Sequence, residues 1–325
     1  MATIYEDDSR ARQLIADMLQ DPTVRIRSPK EVEVKLAKIV ADGPDNMHFI
    51  CDFDMTISRH WVTESNGQKV RNMSSHGVLA NYCRLNTEVG TNAPIPNTTP
   101  TPKRDRISEP ETQRLYDKYY PIEISHQMTY EEKIPHMVAW WDGAHAALIT
   151  QRITHEDIAE MVRETPLELR ELLSELLVLC RDKNVPFLVF SAGIRDIIEE
   201  ILSSRSLFHP NMHVVANKMG FNPTTGFCDH FEDPLIHVFN KSEFQLESTP
   251  RYYSMIEHRR NVILVGDSKG DLQMSKGVRH DLCLNIGFLN HDVEALVEQY
   301  KEVFDVVLVG DQTFSWVNRV LEEVR

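Results

Sequence analysis

An α/β fold, a doubly wound parallel sheet with an inserted, mainly helical cap, is predicted by three observations. Short apolar runs recur along the chain, helical patterns separate them, and one gap between runs is far too long for a simple crossover. The runs are MHFICDF (47–53), VPFLVF (185–190), MHVVA (212–216), NVILVG (261–266), LCLNIG (282–287) and DVVLVG (305–310). Several are apolar on consecutive positions, as strands covered on both faces are. Between them, 168–183, 194–204 and 292–304 carry apolar residues at helical spacing.

The gap holds about 130 residues between the first strand and VPFLVF, where a crossover needs roughly a dozen. An inserted domain accounts for the excess, with its main helix at 129–151 and Pro135 near the start. Such a cap would overhang the edge where open α/β sheets bind ligands. The predicted division gives 1–57 and 166–325 to the core and 58–165 to the cap. A disordered Pro/Thr-rich loop is expected at 86–112, which holds five of the sixteen prolines.

Bulk properties exclude several functions. With 325 residues, 42% apolar and 26% charged, the chain can bury a large core. Five cysteines, at 51, 83, 180, 228 and 283, form no CxxC pair, so neither a zinc site nor a disulfide framework is signalled and a reducing compartment is expected. The opening MATIYEDDSRARQ is acidic where a secretory signal needs a basic region, and no apolar run approaches the ~20 residues of a membrane span. A cytoplasmic, membrane-free protein is predicted. A formal net charge of −14 argues against broad phosphate contacts to polymeric nucleic acid. Any anionic ligand must be held by local charge.

Four motifs offer that charge. In FICDFDMTISRH (49–60), Asp52 and Asp54 stand two apart, the spacing that puts strand side chains on one side. A metal ion, a shared proton or a solvated turn would each relieve their repulsion. VPFLVFSAG leads into a helix, so Ser191 and the amides of Ala192 and Gly193 form either an anion site or an ordinary helix cap. NVILVGDSKGD ends a predicted strand with Asp267 and Asp271 across a turn, as ligands or as turn formers. LIHVFNK places Lys241 after another apolar run, where a lone lysine is ordinarily solvated; Lys218 is a rival cation.

Taken in order, these parts fit phosphoryl transfer through an aspartyl phosphate. Asp52 would attack phosphorus, and Asp54 would pass protons to the leaving oxygen and from water. Mg²⁺ would sit between Asp52, Asp267 and the phosphate, with the Asp54 backbone carbonyl as a further ligand. Ser191 and the amides after it would hold phosphoryl oxygens, Lys241 would balance charge, and Asp271 would orient Lys241 or a metal-bound water.

The order DFDMT, FSAG, HVFNK, GDSKGD resembles the haloacid dehalogenase superfamily of phosphohydrolases, and within it the cytosolic 5′-nucleotidase III (pyrimidine 5′-nucleotidase) family. The likeness runs from about residue 26 to 325 and includes KYYPIE (118–123), EEKIPHMVAWW (131–141) and IGFLN (286–290). It implies a haloacid dehalogenase-like core, dependence on Mg²⁺, and hydrolysis of nucleoside 5′-monophosphates such as CMP to nucleoside and phosphate. It also implies that Glu123 recognises the base. Trp141 and Ala144 stand where pyrimidine-preferring members have Tyr and Ser, and resemble the branch acting on 7-methylguanosine monophosphate. A cationic methylated base suits an indole face. His76 would either face the base or, as the Ser-rich loop favours, lie at the surface, and the surface position is expected. The substrate is the expected partner, and the protein is expected to be a monomer. A catalytically silent nucleotide-binding protein, another phosphatase or a phosphotransferase are the alternatives.

Overall fold

The six apolar runs become six of the strands of a seven-stranded sheet, whose two faces are covered by helices and loops. The computed structural model describes residues 2–79, 109–123, 125, 127–165, 167–241, 250–276 and 279–325. Its main sheet has the order β1 (Val24–Ile26), β11 (Val306–Val309), β10 (Leu282–Leu289), β9 (Asn261–Gly266), β2 (Met47–Cys51), β5 (Phe187–Ile194), β6 (Met212–Asn217). All neighbours are parallel except β1 and β11, so an antiparallel edge strand joins the predicted parallel sheet.

Alternate residues of each central strand enter different cores, as a pleated strand requires. Phe49, Cys51, Phe187, Val189, Ile263 and Val265 lie in one apolar cluster. Ile50, Leu188, Phe190, Val262 and Leu264 lie in the other. The first is closed by the helices Pro29–Asp42, Leu173–Asp182, Arg195–Ser204 and Ser315–Glu323. Tyr252, Ile256 and Met274 close the second. Each buried Val, Leu, Ile or Phe side chain contributes roughly 1.5–3 kcal/mol, so the strand ends stand on a rigid base.

From β2 the chain winds outward through β5 to β6, then returns to β9 on the other side of β2 and continues to β10 and β11. The winding reverses between β2 and β9. Ligands of open α/β sheets bind in the crevice beyond such a reversal, and here Asp52 follows β2 while Asp267 follows β9.

Between β2 and β5 lie the hairpin β3 (Trp61–Thr63) and β4 (Lys69–Arg71) and the helices Glu109–Glu123, Tyr130–Ile149 and His155–Glu164. The second of these helices starts at a capping box: Glu132 N donates to Thr129 Oγ1 at 3.3 Å, and Thr129 N to Glu132 Oε2 at 2.8 Å. A second hairpin, β7 (Met219–Phe221) and β8 (Cys228–Phe231), packs on this insertion. Phe231 stacks on His145 with centroids 3.7 Å apart, and Cys228 N donates to Ile153 O at 2.8 Å.

Several predicted boundaries are corrected. The helix read at 168–183 begins at Leu173, because Leu172 adopts φ 64° and Leu169 bridges to Ser58. The strand read to 190 continues through Ser191–Gly193, with a register shift against β6. LIHVFNK is a turn rather than a strand. Residues 109–112 of the predicted loop are helical, with Pro110 in the first turn where its missing N–H is harmless; 86–108 lie outside the described residues. Among the described residues no helix is long and apolar enough to cross a membrane.

Candidate active site

The strand β2 stops at Cys51, so strand alternation does not set the geometry of the two aspartates. Asp52 N donates to Val265 O at 3.0 Å, which anchors the residue beside β9. The chain then leaves the sheet in a tight turn, Phe53–Ile57, with Met55 at φ 65°. Within this turn Asp54 faces Ser75, whose N–H donates to Oδ1 at 2.7 Å and whose hydroxyl donates to Oδ2 at 2.9 Å.

Lys241 arrives from the 235–241 turn and is 4% exposed. Its ammonium bonds Asp52 Oδ1, and Asp271 Oδ1 at 2.8 Å. The other Asp271 oxygen accepts from the amides of Asp267 and Ser268, at 3.1 and 2.9 Å, and from the Ser268 hydroxyl at 3.0 Å. Asp271 thus braces both the lysine and the loop carrying Asp267. Gly266 permits this, since a Cβ there would lie 2.6 Å from Asp271 Cβ. The rival Lys218 pairs instead with Glu232 at 2.6 Å.

Asp52, Asp267 and Asp271 each present an oxygen within 4.8 Å of the others. An all-oxygen, acidic donor set fits a hard cation such as Mg²⁺. The Asp54 side chain is not in this set; it was read as a ligand through its backbone carbonyl. Burial raises Asp52 from 3.8 to about 7, although Lys241 pulls it down. Asp267 is pushed well above the ordinary range by burial, then by the charges of Asp271 and Asp52. Burial raises Asp54 too, against the two bonds from Ser75. Lys241 would lose basicity on burial, but the carboxylates of Asp271 and Asp52 outweigh that and keep it protonated.

A pH-dependent response to metal follows. Carboxylates with raised values hold protons in the folded protein that the unfolded chain has released, so without metal stability falls as pH rises between 3.8 and about 7. A cation held by these groups would favour their ionised forms and oppose that loss. Melting curves are expected to show a larger Mg²⁺-induced rise at pH 8 than at pH 6. Equal rises at both would contradict the assignment of these carboxylates to a cation site.

On the other side of the crevice, Ser191 is 1% exposed and lies within β5. It does not cap the next helix, which starts at Arg195 without a side-chain cap. The Gly193 amide, expected to face outward, donates to Ser191 Oγ at 3.0 Å. Gly193 is needed because a Cβ there would lie 2.0 Å from Ser75 Oγ. Ala192 O accepts the Trp141 indole N–H and the Asn217 amide, each at 2.9 Å. Asn217 also donates to Ile236 O at 2.8 Å, tying β5 to the turn that brings in Lys241.

Glu123 ends its helix half-buried, and burial raises its carboxyl against the pull of Arg71 and Lys133. The Lys133 ammonium donates to Glu123 O at 2.8 Å. Trp141 lies one turn of helix from Ala144 and meets the ring of His76 edge to face, with centroids 6.0 Å apart. His76 is therefore not the surface residue expected; it is half-buried, and burial lowers it to about 4. Ser75, Asn217 and Arg71 went unnoticed in the sequence, where Ser75 sits in a polar stretch without periodicity.

A buried nucleophile candidate, an acid–base candidate and a cation site thus meet at the sheet's reversal point. The family profile described as pyrimidine 5′-nucleotidase (UMPH-1) matches residues 101–325. The chain belongs to this family. A similar relative is the 7-methylguanosine phosphate-specific 5′-nucleotidase of Mus musculus, 38% identical over 307 residues, 94% of each chain. The solved structure of cytosolic 5′-nucleotidase IIIB bound to cytidine aligns with a TM-score of 0.80 at 32% identity, covering 95% of this chain and 97% of that one. A had family hydrolase from Salmonella enterica shares the fold at a TM-score of 0.51 and 13% identity, over 86% of this chain and 72% of that one. The protein is a 5′-nucleotidase, a hydrolase with a haloacid dehalogenase-like core and a helical cap.

Proposed function

We propose that this 5′-nucleotidase hydrolyses nucleoside 5′-monophosphates, 7-methylguanosine monophosphate and pyrimidine nucleotides such as CMP, through a phosphorylated Asp52. The observation that carries the reading is the different company of the two carboxylates: Asp52 pairs with Lys241, whereas Asp54 is held apart by Ser75. An Asp52 oxygen forms a bond to phosphorus as the bond from phosphorus to the 5′ oxygen breaks, and Asp54 gives that oxygen its proton. The nucleoside leaves. Asp54, now ionised, takes a proton from water while the water oxygen attacks phosphorus, and the bond to Asp52 breaks to release phosphate. Asp52, Asp267 and the Asp54 carbonyl would hold Mg²⁺, which supplies charge neutralisation between nucleophile and phosphate. Ser191 and the Ala192 amide would hold phosphoryl oxygens, and Lys241 would offset the charge that develops on them.

In the same reading residues 58–165 form the cap and 1–57 with 166–325 the core. Glu123 would accept hydrogen bonds from the base edge, and Trp141 would face the ring. The names of the relatives, one specific for 7-methylguanosine phosphate and one bound to cytidine, support both substrate classes. The net charge of −14 supports a small-molecule partner in place of polymeric nucleic acid. Action as a monomer in the cytoplasm completes the proposal.

Phosphate release from CMP, UMP, AMP and 7-methylguanosine monophosphate, with and without Mg²⁺, tests it. Release is expected only with Mg²⁺ and fastest for the methylated nucleotide. No release from any of the four would favour a nucleotide-binding protein without catalysis. Trp141→Tyr is expected to shift the ratio of 7-methylguanosine monophosphate to CMP rates toward CMP by on the order of tenfold. The ratio is the right readout, because loss of the bond to Ala192 affects every substrate alike. An unchanged ratio would remove the basis for the methylguanosine preference.

A further inference from the structure

Arg170 is 2% exposed, and a buried guanidinium is tolerated only when its donors are used. Two of its nitrogens reach the turn that follows Asp52. Nε donates to Thr56 O at 2.6 Å, and one terminal nitrogen to Met55 O at 2.6 Å and Asn290 Oδ1 at 3.2 Å. The other bonds Asp311 Oδ1 at 3.1 Å and the Gln312 carbonyl. Asn290 Nδ2 donates to Met55 O as well, at 3.0 Å, and Asp311 accepts from the amides of His60 and Trp61 at 3.0 and 3.2 Å. The guanidinium lies 3.9 Å from the centroid of Phe288. The carbonyls so held are those of Met55, which has φ 65°, and of the residue after it, and such a conformation persists in a side-chain-bearing residue only where the surroundings over-determine it.

We propose that Arg170, Asn290 and Asp311 form a positioning set that fixes the Phe53–Ile57 turn and thereby aims Asp54 for proton transfer. None of the three touches substrate in the reading above; Arg170 and Asn290 act through backbone carbonyls one and two residues past Asp54, and Asp311 acts through Arg170. The proposal rests on the assignment of Asp54 as acid and base. A lysine cannot reproduce the planar fork that spans two successive carbonyls, and a shift of about 1 Å in a reacting group costs on the order of 100-fold.

The test compares leaving groups. p-Nitrophenolate departs without a proton, whereas the 5′ oxygen of a nucleoside needs one; both substrates still need Asp54 to activate water. In stopped flow with p-nitrophenyl phosphate and Mg²⁺, Arg170→Lys and Asn290→Ala are expected to keep a burst of about one nitrophenolate per site, followed by turnover slowed on the order of 100-fold. Asp54→Asn is the reference and should give the same pattern with a deeper stall. Asn290→Ala leaves the guanidinium in place, so it reports on the set even if Arg170→Lys does not fold. A reference without a burst overturns the role of Asp54 and this proposal with it. A normal reference, together with variants that slow both phases equally or neither, overturns the positioning set alone.

Discussion

Asp52→Asn is expected to lower turnover on 7-methylguanosine monophosphate and CMP by on the order of 10⁴-fold or more, because an amide cannot serve as the nucleophile. The stability of the same variant separates this loss from misfolding. Burial raises Asp52 to about 7, which means that its ionised form is a burden on the folded state at pH 8. Asparagine removes that burden, and Lys241 keeps its 2.8 Å partner in Asp271. The metal-free variant should therefore melt at or above the temperature of the unaltered protein at pH 8, while most of the stabilisation by Mg²⁺ disappears. Phosphate release and melting curves on one preparation check both halves. Turnover within tenfold of the unaltered enzyme would require a different nucleophile.

What was legible in the sequence is what the sheet makes local. NVILVG reads as a strand because each of its six residues is buried, and its neighbour β2 reads likewise, so the strand ends with Asp52 and Asp267 could be placed in advance. The glycine-containing turn of GDSKGD was readable for the same reason: Gly266, Asp267 and Asp271 interact within one loop. What stayed hidden depends on contacts between distant segments. Ser75 meets Asp54 across 21 residues and Arg170 meets Met55 across 115, and neither has a local pattern that announces it. β1 is only three residues long and is a strand because β11 offers an edge. The helix-cap alternative for Ser191 fails because the register shift in β5 extends the strand and moves the helix start to Arg195. The cap helix Tyr130–Ile149 was readable from its apolar positions at helical spacing, but not the bond from Trp141 to Ala192 that ties it to the core.

Lys241→Met is expected to lower turnover by about 10³-fold, the scale associated with losing a preorganised charge in a site closed to water, and to destabilise the metal-free protein. Four carboxylates, of Asp52, Asp54, Asp267 and Asp271, surround this one buried ammonium, which bonds two of them directly. Removing one partner of a buried pair costs about 3–5 kcal/mol when the other is left charged. Protonation limits the damage, since Asp52 already titrates near 7 and needs little more to stay neutral. The loss in melting temperature should therefore be larger at pH 8 than at pH 6, and Mg²⁺ should recover more of it at pH 8. Turnover should not recover with Mg²⁺, because in the proposed reading the cation would be held by Asp52 and Asp267 and would not replace the donor that Lys241 would offer to the phosphoryl oxygens. Melting at both pH values and phosphate release at saturating Mg²⁺ distinguish the two roles. If turnover stayed within tenfold, the balancing charge would have to come from elsewhere, and Arg71 is the next cation to test, since its charge acts on both Asp54 and Glu123.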